Sequence, residues 1–319
     1  MIESVVMPDG DELCESLFSA PHRKTALENL GGFRVYTDAP LDSNTKYLER
    51  CKLARAVIFG WPLPSDVLAL PNLEVVTFMG TGAANFVDVD EARRRGIAVC
   101  NAPGYGDIAV AEHTMALILS SLRDVARLDA RMRNGEWPTT ASARELFGAT
   151  VGIVGFGGIG ARVSTLLAAM GAQVLCWTRN PEKYRDANPH VEFTDLETLL
   201  AQSAIVSLHL GLNSETEGII NTERLNLLQN GTLFVNTARA ELVDTAHLLK
   251  LVEGQVISVA LDVFSPEPLP SENPYRHLDG TVLTPHVAFN TPQAMERMAD
   301  ITVRNLEQFF AGSPQNRVA

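Results

Sequence analysis

Cysteine is scarce in this 319-residue chain: Cys14, Cys51, Cys100 and Cys176 lie far apart and form no C-x-x-C pair. That spacing gives no zinc cluster and no expected metal site, and it fits reduced, buried thiols in a cytoplasmic protein. Long apolar runs are missing too; none approaches the ~18 residues of a membrane-spanning helix. The start, Met1-Ile2-Glu3-Ser4, has no basic segment leading into an apolar core, so no signal peptide is expected. A basic surplus is likewise absent. Lys and Arg number 26 against 38 Asp and Glu, a net charge of −12, which argues against a nucleic-acid or anionic-membrane surface. An anionic ligand is still allowed, because one Arg can dominate one pocket. No internal repeat, low-complexity tract or charge block is found. What remains is an ordinary globular composition, 46% hydrophobic and 20% charged, at a length suggesting two domains.

The most informative stretch is Val151-Gly152-Ile153-Val154-Gly155-Phe156-Gly157-Gly158-Ile159-Gly160. An apolar run runs into G-x-G-x-x-G, and a helix-like segment over 161–170 follows. In that setting Gly155 permits a tight turn, Gly157 lets backbone approach a pyrophosphate, and Gly160 allows close helix–strand packing. The helix start then offers free N–H groups to the phosphates. Without the flanking strand and helix the pattern would be weak evidence; with them it predicts dinucleotide binding.

Around this turn, strand-like and helix-like runs alternate. Strands are expected at 33–36, 56–59, 75–78 and 97–100, then at 150–155, 173–177, 205–210, 232–237, 256–262 and 281–284. Helices are expected at 44–53, 88–95, 161–170, 196–202, 222–228, 244–252 and about 292–310. The apolar strands predict parallel sheets covered on both faces. Asn101-Ala102-Pro103-Gly104-Tyr105-Gly106 is a breaker cluster suited to an interdomain crossing. Asp107 can cap one long helix over about 108–134, apolar around more than one face in its first half and so suited to burial between domains or subunits. His113 within it reads as a core or interface histidine rather than a catalytic one. The small-residue turn Gly80-Thr81-Gly82-Ala83-Ala84-Asn85 is either an anion-binding concavity or a plain tight turn.

In open parallel sheets ligands bind beyond the carboxyl ends of the strands. Three such ends carry polar groups: Asn236-Thr237-Ala238-Arg239, Leu261-Asp262 and Thr284-Pro285-His286, with Glu267 nearby in Ser265-Pro266-Glu267-Pro268. Arg supplies a bidentate anion clamp, His a proton donor, and a carboxylate a holder for imidazolium. Each residue alone has an ordinary explanation as an ion-pairing or turn-forming group. Converging on one rim beside a dinucleotide turn, they read as a catalytic set.

The chain resembles the D-isomer-specific 2-hydroxyacid dehydrogenase family over nearly its full length. The matching pieces are Arg93-Arg94-Arg95-Gly96-Ile97, Asn101-Ala102-Pro103-Gly104, Val110-Ala111-Glu112-His113-Thr114 and the glycine turn. They continue with Val235-Asn236-Thr237-Ala238-Arg239, Ala260-Leu261-Asp262-Val263-Phe264 through Glu267-Pro268, and Thr284-Pro285-His286-Val287-Ala288. The resemblance implies an α/β protein of two Rossmann/flavodoxin-like parallel-sheet domains with the active site in the interdomain cleft. Residues 1–101 would begin the substrate-binding domain, 102–287 form the dinucleotide-binding domain, and 288–319 return to the first. His286 would be the acid/base, Glu267 its partner, and Arg239 the clamp on substrate carboxylate and carbonyl. Asp262 would contact the nicotinamide carboxamide, Thr237 and Ala238 would line the cofactor, and N–H groups near Gly82 and Ala83 would hold the substrate carboxylate. A homodimer through the helix starting near Ile108 is also implied.

Some positions depart from the family pattern. Ala240 follows Arg239 where Gly is usual, Gly211 stands where Pro is common, and Thr81 and Ala83 replace glycines. Phe289 interrupts the small-residue run after His286, where it either narrows the pocket or packs against it; Trp61 is a further candidate lining residue. The most useful departure is Cys176-Trp177-Thr178-Arg179-Asn180, with no carboxylate where NAD-binding members bond the ribose 2′-hydroxyl. Thr178 and Arg179 suit a 2′-phosphate instead, so NADP is the expected cofactor and NAD the alternative. The expected activity is hydride transfer between this cofactor and C2 of a small 2-oxo or 2-hydroxy acid, as in glyoxylate or hydroxypyruvate reductases. The alternatives are a dinucleotide-sensing co-repressor, disfavoured by the lack of long disordered extensions, and formate or phosphite oxidation, disfavoured by Glu267 where formate-oxidising relatives carry Gln.

Overall fold

Val-, Ile- and Leu-rich runs build two separate all-parallel sheets in the computed structural model, which describes residues 4–39, 41, 43–139 and 143–319. Residues 1–3, on which the reading of the chain's start rests, lie outside the described residues. The chain divides into two compact units, Met1–Gly106 with Thr291–Ala319, and Asp107–Asn290. These crossings fall a few residues from the 101/102 and 287/288 read from sequence. Asn101 and Tyr105 stay with the first unit because their carbonyls accept from Asn305 Nδ2 (2.7 Å) and Arg297 Nε (2.9 Å).

The first unit runs β1 (Val5–Met7), α1 (Glu12–Phe18), α2 (Pro21–Asn29), β2 (Phe33–Val35), α3 (Asn44–Cys51), β3 (Ala56–Phe59), β4 (Val75–Phe78), α4 (Val89–Arg95) and β5 (Ala98–Cys100). Its strand order is β2-β1-β3-β4-β5. β1 has no counterpart among the strands expected from sequence. Three residues carry too little pattern, and only pairing with both β2 and β3 defines the strand. The C-terminal helix Pro292–Phe310 belongs to this unit and buries Met295, Met298, Ala299, Thr302, Val303 and Leu306, a stripe at helical spacing. Arg23, 1% exposed, ties it down by donating to Leu17 O (2.6 Å) and Asp300 Oδ1 (2.8 Å) and pairing with Glu296.

The second unit runs α5 (Asp107–Arg123), α6 (Val125–Arg133), β6 (Thr150–Val154), α7 (Gly158–Ala169), β7 (Gln173–Trp177), β8 (Val191–Phe193), α8 (Leu196–Gln202), β9 (Ile205–Leu208), α9 (Thr222–Leu225), β10 (Leu233–Asn236), α10 (Thr245–Glu253), β11 (Ser258–Leu261) and β12 (Thr281–Leu283). The strand order is β12-β11-β10-β9-β6-β7-β8. Chain direction across the sheet therefore reverses between β6 and β9, the switch point where dinucleotides bind in such folds. The single helix expected over 108–134 is in fact two. Asp124 adopts a left-handed φ of 58° between them, and its carboxylate accepts from Arg127 Nε at 2.7 Å. α6 buries no residue, so no core contact holds it to the axis of α5. α5 itself packs within this unit, with Ala111, Met115, Leu117 and Ile118 in the same apolar cluster as Val163 and Leu167 of α7. Ile118 is fully buried, and its truncation to Ala would cost about 2–5 kcal/mol.

Candidate active site

The glycine turn sits at the carboxyl end of β6, beside the end of β9. A Cβ at Gly155, where φ is 101°, would stand 2.6 Å from the His209 carbonyl oxygen. One at Gly160 would stand 2.1 Å from the Gly155 carbonyl, so both positions need glycine for close approach. Gly157 is open, with nothing within 4 Å of where a side chain would start. It caps α7 without a side-chain hydrogen bond. The turn thus presents bare backbone and the amino end of a helix, which fits a pyrophosphate. Gly158 completes it for another reason: Asp107 Oδ2 lies 1.8 Å from its would-be Cβ, so a carboxylate already faces this helix start.

Further along the same edge, β10, β11 and β12 are in register, with Asn236 opposite Leu261 and Leu261 opposite Leu283. The segments beyond them bring Arg239, Asp262 and His286 to one edge. Glu267 is anchored by its own loop, Oε1 accepting the Phe264 N–H at 2.8 Å, and Oε2 meets His286 Nδ1 at 2.7 Å. An ionised carboxylate can only accept, so Nδ1 carries a proton and Nε2 is left for other chemistry. The two side chains are about one-third exposed, at 32% and 36%. Phe289 stands edge-on to the His286 ring, centroids 5.9 Å apart, and so packs against the imidazole. Asn236 Nδ2 holds the Arg239 carbonyl at 2.8 Å, and the guanidinium donates to the Ala238 carbonyl at 2.7 Å. Among the described residues Arg239 has no carboxylate partner, so its charge remains free for an anion.

Asp262, which follows β11, lies in the interior. Its side chain is fully buried and turned inward. Oδ1 accepts from the Thr284 hydroxyl (2.6 Å) and the Val287 N–H (3.0 Å), and Oδ2 from the Ala288 N–H (2.9 Å). Those donors flank His286, whose φ of 54° is unusual for a residue with a side chain. The carboxylate is held by the His286 segment, with both oxygens accepting from it. His113 joins this set, Nε2 lying 3.0 Å from Thr284 Oγ1 and 3.6 Å from Asp262 Oδ1. Sequence reading placed His113 in the core or an interface; a partner 171 positions away leaves no local signal.

Beyond β7, Thr178, Arg179 and Asn180 occupy the edge next to the turn, where the Gly155 N–H donates to the Trp177 carbonyl at 2.8 Å. Arg179 Nη2 pairs with Glu215 Oε2 at 2.5 Å, a partner no sequence pattern indicated. His209, after β9, meets Ser207 Oγ at 2.9 Å, and burial pushes its pKa down to about 3, so the ring is neutral. Thr237 Oγ1 lies 3.0 Å from Thr114 Oγ1, and the Ala238 N–H donates to Asn236 Oδ1 at 2.9 Å.

In the first unit, Ala83 opens a short helical turn, Ala83–Asn85, capped by Gly82. Among the described residues, no backbone acceptor or capping side chain takes the N–H of Gly82 or Ala83. Trp61 is half exposed at 49%, and its N–H and that of Gly60 donate to buried Asp9 at 3.0 and 3.2 Å. No three His, Cys, Asp or Glu side chains gather as metal ligands among the described residues, and no described helix is long and apolar enough to cross a membrane.

A family model for the D-isomer specific 2-hydroxyacid dehydrogenase NAD-binding domain matches residues 115–288. The chain belongs to this family. The glyoxylate reductase of Thermofilum pendens is 41% identical over 253 residues, covering 76% of this chain and 74% of its own. The hydroxypyruvate reductase of Blautia hydrogenotrophica is 33% identical over 304 residues, covering 92% and 93%. The D-lactate dehydrogenase of Aquifex aeolicus, solved with NAD and lactic acid, aligns over 97% of this chain and 96% of its own, with a TM-score of 0.81 and 28% identity. Members of the family are NAD(P)-dependent oxidoreductases acting on the CH–OH group of 2-hydroxy acids, and this chain is an enzyme of that class.

Proposed function

We propose that this enzyme reduces a small 2-oxo acid, glyoxylate or hydroxypyruvate foremost, to the D-2-hydroxy acid at the expense of NADPH. The observation that carries the reading is the His286–Glu267 pair, closed at 2.7 Å with the imidazole Nε2 left free. The nicotinamide supplies the hydride when bound. Arg239 clamps the substrate carboxylate and polarises its carbonyl, a task for which an unpaired guanidinium is suited. His286 Nε2 donates the proton to the forming alkoxide, and Glu267 holds the imidazolium that must be present beforehand. Asp262 acts through the backbone on both sides of His286 rather than on cofactor or substrate. We assign the N–H groups of Gly82 and Ala83 to the substrate carboxylate, supported by their lack of an internal acceptor.

NADPH rather than NADH is favoured by Thr178 and Arg179 in place of a carboxylate at the end of β7. A second copy of the chain is the proposed cover for Val125, Met132, Trp137 and Phe147, exposed at 54%, 46%, 80% and 78%. The four unpaired thiols support a cytoplasmic setting. The deciding experiment is a steady-state panel of 2-oxo acids, each with NADPH and NADH. Glyoxylate or hydroxypyruvate with NADPH should give the highest kcat/KM. Failure to oxidise either nucleotide with any 2-oxo acid would overturn the reading and favour a dinucleotide-sensing protein.

A further inference from the structure

The end of β7 lacks the carboxylate that commonly bonds a ribose 2′-hydroxyl, yet a carboxylate stands there. Glu215 brings it from the loop after β9, on the other side of β6 from β7. Its Oε2 lies 2.5 Å from Arg179 Nη2, and both side chains are well exposed, at 68% and 65%. The backbone that carries Glu215 is braced. Asn213 Oδ1 accepts the N–H of Glu215 (2.9 Å) and of Thr216 (3.2 Å). The Thr216 hydroxyl donates to the Gly211 carbonyl (2.7 Å) and accepts the Asn213 N–H (2.8 Å). A turn closed on itself in this way aims Glu215 at Arg179 before any ligand arrives.

Resting on the dinucleotide reading above, we propose that Glu215 is a specificity-determining residue that moderates the enzyme's preference for NADPH over NADH. A 2′-phosphate carries nearly two negative charges, so Arg179 attracts it and Glu215 repels it. A ribose 2′-hydroxyl is neutral and can donate to Glu215, which then stands in for the acid that β7 lacks. The pair thus admits both nucleotides. Arg179 alone would select the phosphorylated one much more strongly. Because the groups are exposed, the effect is modest and salt-sensitive.

The test is nucleotide binding without substrate, from fluorescence titrations of NADPH and NADH against wild type, Glu215→Gln and Arg179→Gln. Glu215→Gln should tighten NADPH on the order of fivefold and weaken NADH about twofold, with the NADPH gain shrinking as salt is raised. Arg179→Gln should weaken NADPH about tenfold and leave NADH nearly unchanged. An unchanged NADPH/NADH ratio in Glu215→Gln, or an equal shift for both nucleotides, overturns the proposal. A wild type that prefers NADH would defeat the cofactor assignment above, yet the direction of the Glu215→Gln shift still decides this one. Turnover plays no part, so failure of the 2-oxo acid reading shows separately. Binding of neither nucleotide would overturn both.

Discussion

Each of the two units buries one aspartate at the carboxyl edge of its sheet, and the two are treated in opposite ways. Asp9 follows β1 and takes three donors on Oδ2, the N–H groups of Gly60 and Trp61 and, at 3.4 Å, the Tyr47 hydroxyl. Among the described residues its Oδ1 has no hydrogen-bond partner, and burial pushes the carboxyl up to about 6. Asp262 follows β11 and has both oxygens engaged, by Thr284, Val287 and Ala288. Equal burial therefore says little about the role of a carboxylate. The number and identity of its donors separate a group under electrostatic stress from one that braces a neighbouring segment.

Removing the residue that Asp262 braces should have the largest effect. His286→Asn should lower kcat by ~10²–10⁴-fold with little change in KM, and an unaltered kcat in steady-state assays would break the contrast between the two edges. Asp262→Ala comes next. It strands two buried N–H groups and a hydroxyl, so stability should fall by about 2–5 kcal/mol in denaturant titrations and kcat should drop with it. Asp262→Asn keeps one acceptor oxygen and should lie between. If both variants keep wild-type kcat, Asp262 is a packing residue only.

Protonation sharpens the comparison further. The folded pKa of Asp9 is raised, so the native state holds its proton longer than the unfolded chain, and its contribution falls as pH rises from about 4 to about 6. Asp9→Asn should remove that slope and gain up to about 3 kcal/mol at pH 7, less the value of the altered hydrogen bonds. His209 in the second unit has the opposite sign. Its folded pKa is depressed to about 3, so its contribution is complete above the ordinary histidine value near 6.5 and is lost as pH falls towards 3. His209→Gln should flatten the acid loss of the second unit. Amide hydrogen exchange followed between pH 4 and 7 and resolved by unit would show the two slopes. Parallel slopes would contradict the contrast.

Much of the site was legible because its chemistry sits at strand ends, where apolar periodicity stops and a polar residue follows. β3, β4 and β7 lie where their Val-rich runs predict, and the glycine turn follows β6 directly. Two strands went unread, β1 and β8, each of three residues and each defined only by its parallel neighbours. The helix break at Asp124 was hidden because helix-forming residues continue on both sides of it. Local pattern cannot register one residue adopting a left-handed backbone.

The residue types for dinucleotide chemistry, their order and their positions at strand ends were determined by the sequence alone, since glycine, arginine, glutamate and histidine each carry their chemistry wherever they are placed. Only the tertiary structure decided partners. It turned Asp262 inward under His286, joined His113 to Thr284, and supplied Arg179 with a carboxylate from 36 positions further along the chain. The physical reason is common to all three. Hydrogen bonds and ion pairs act over about 3 Å, and parallel sheets bring together strand ends that the intervening crossovers keep far apart in sequence.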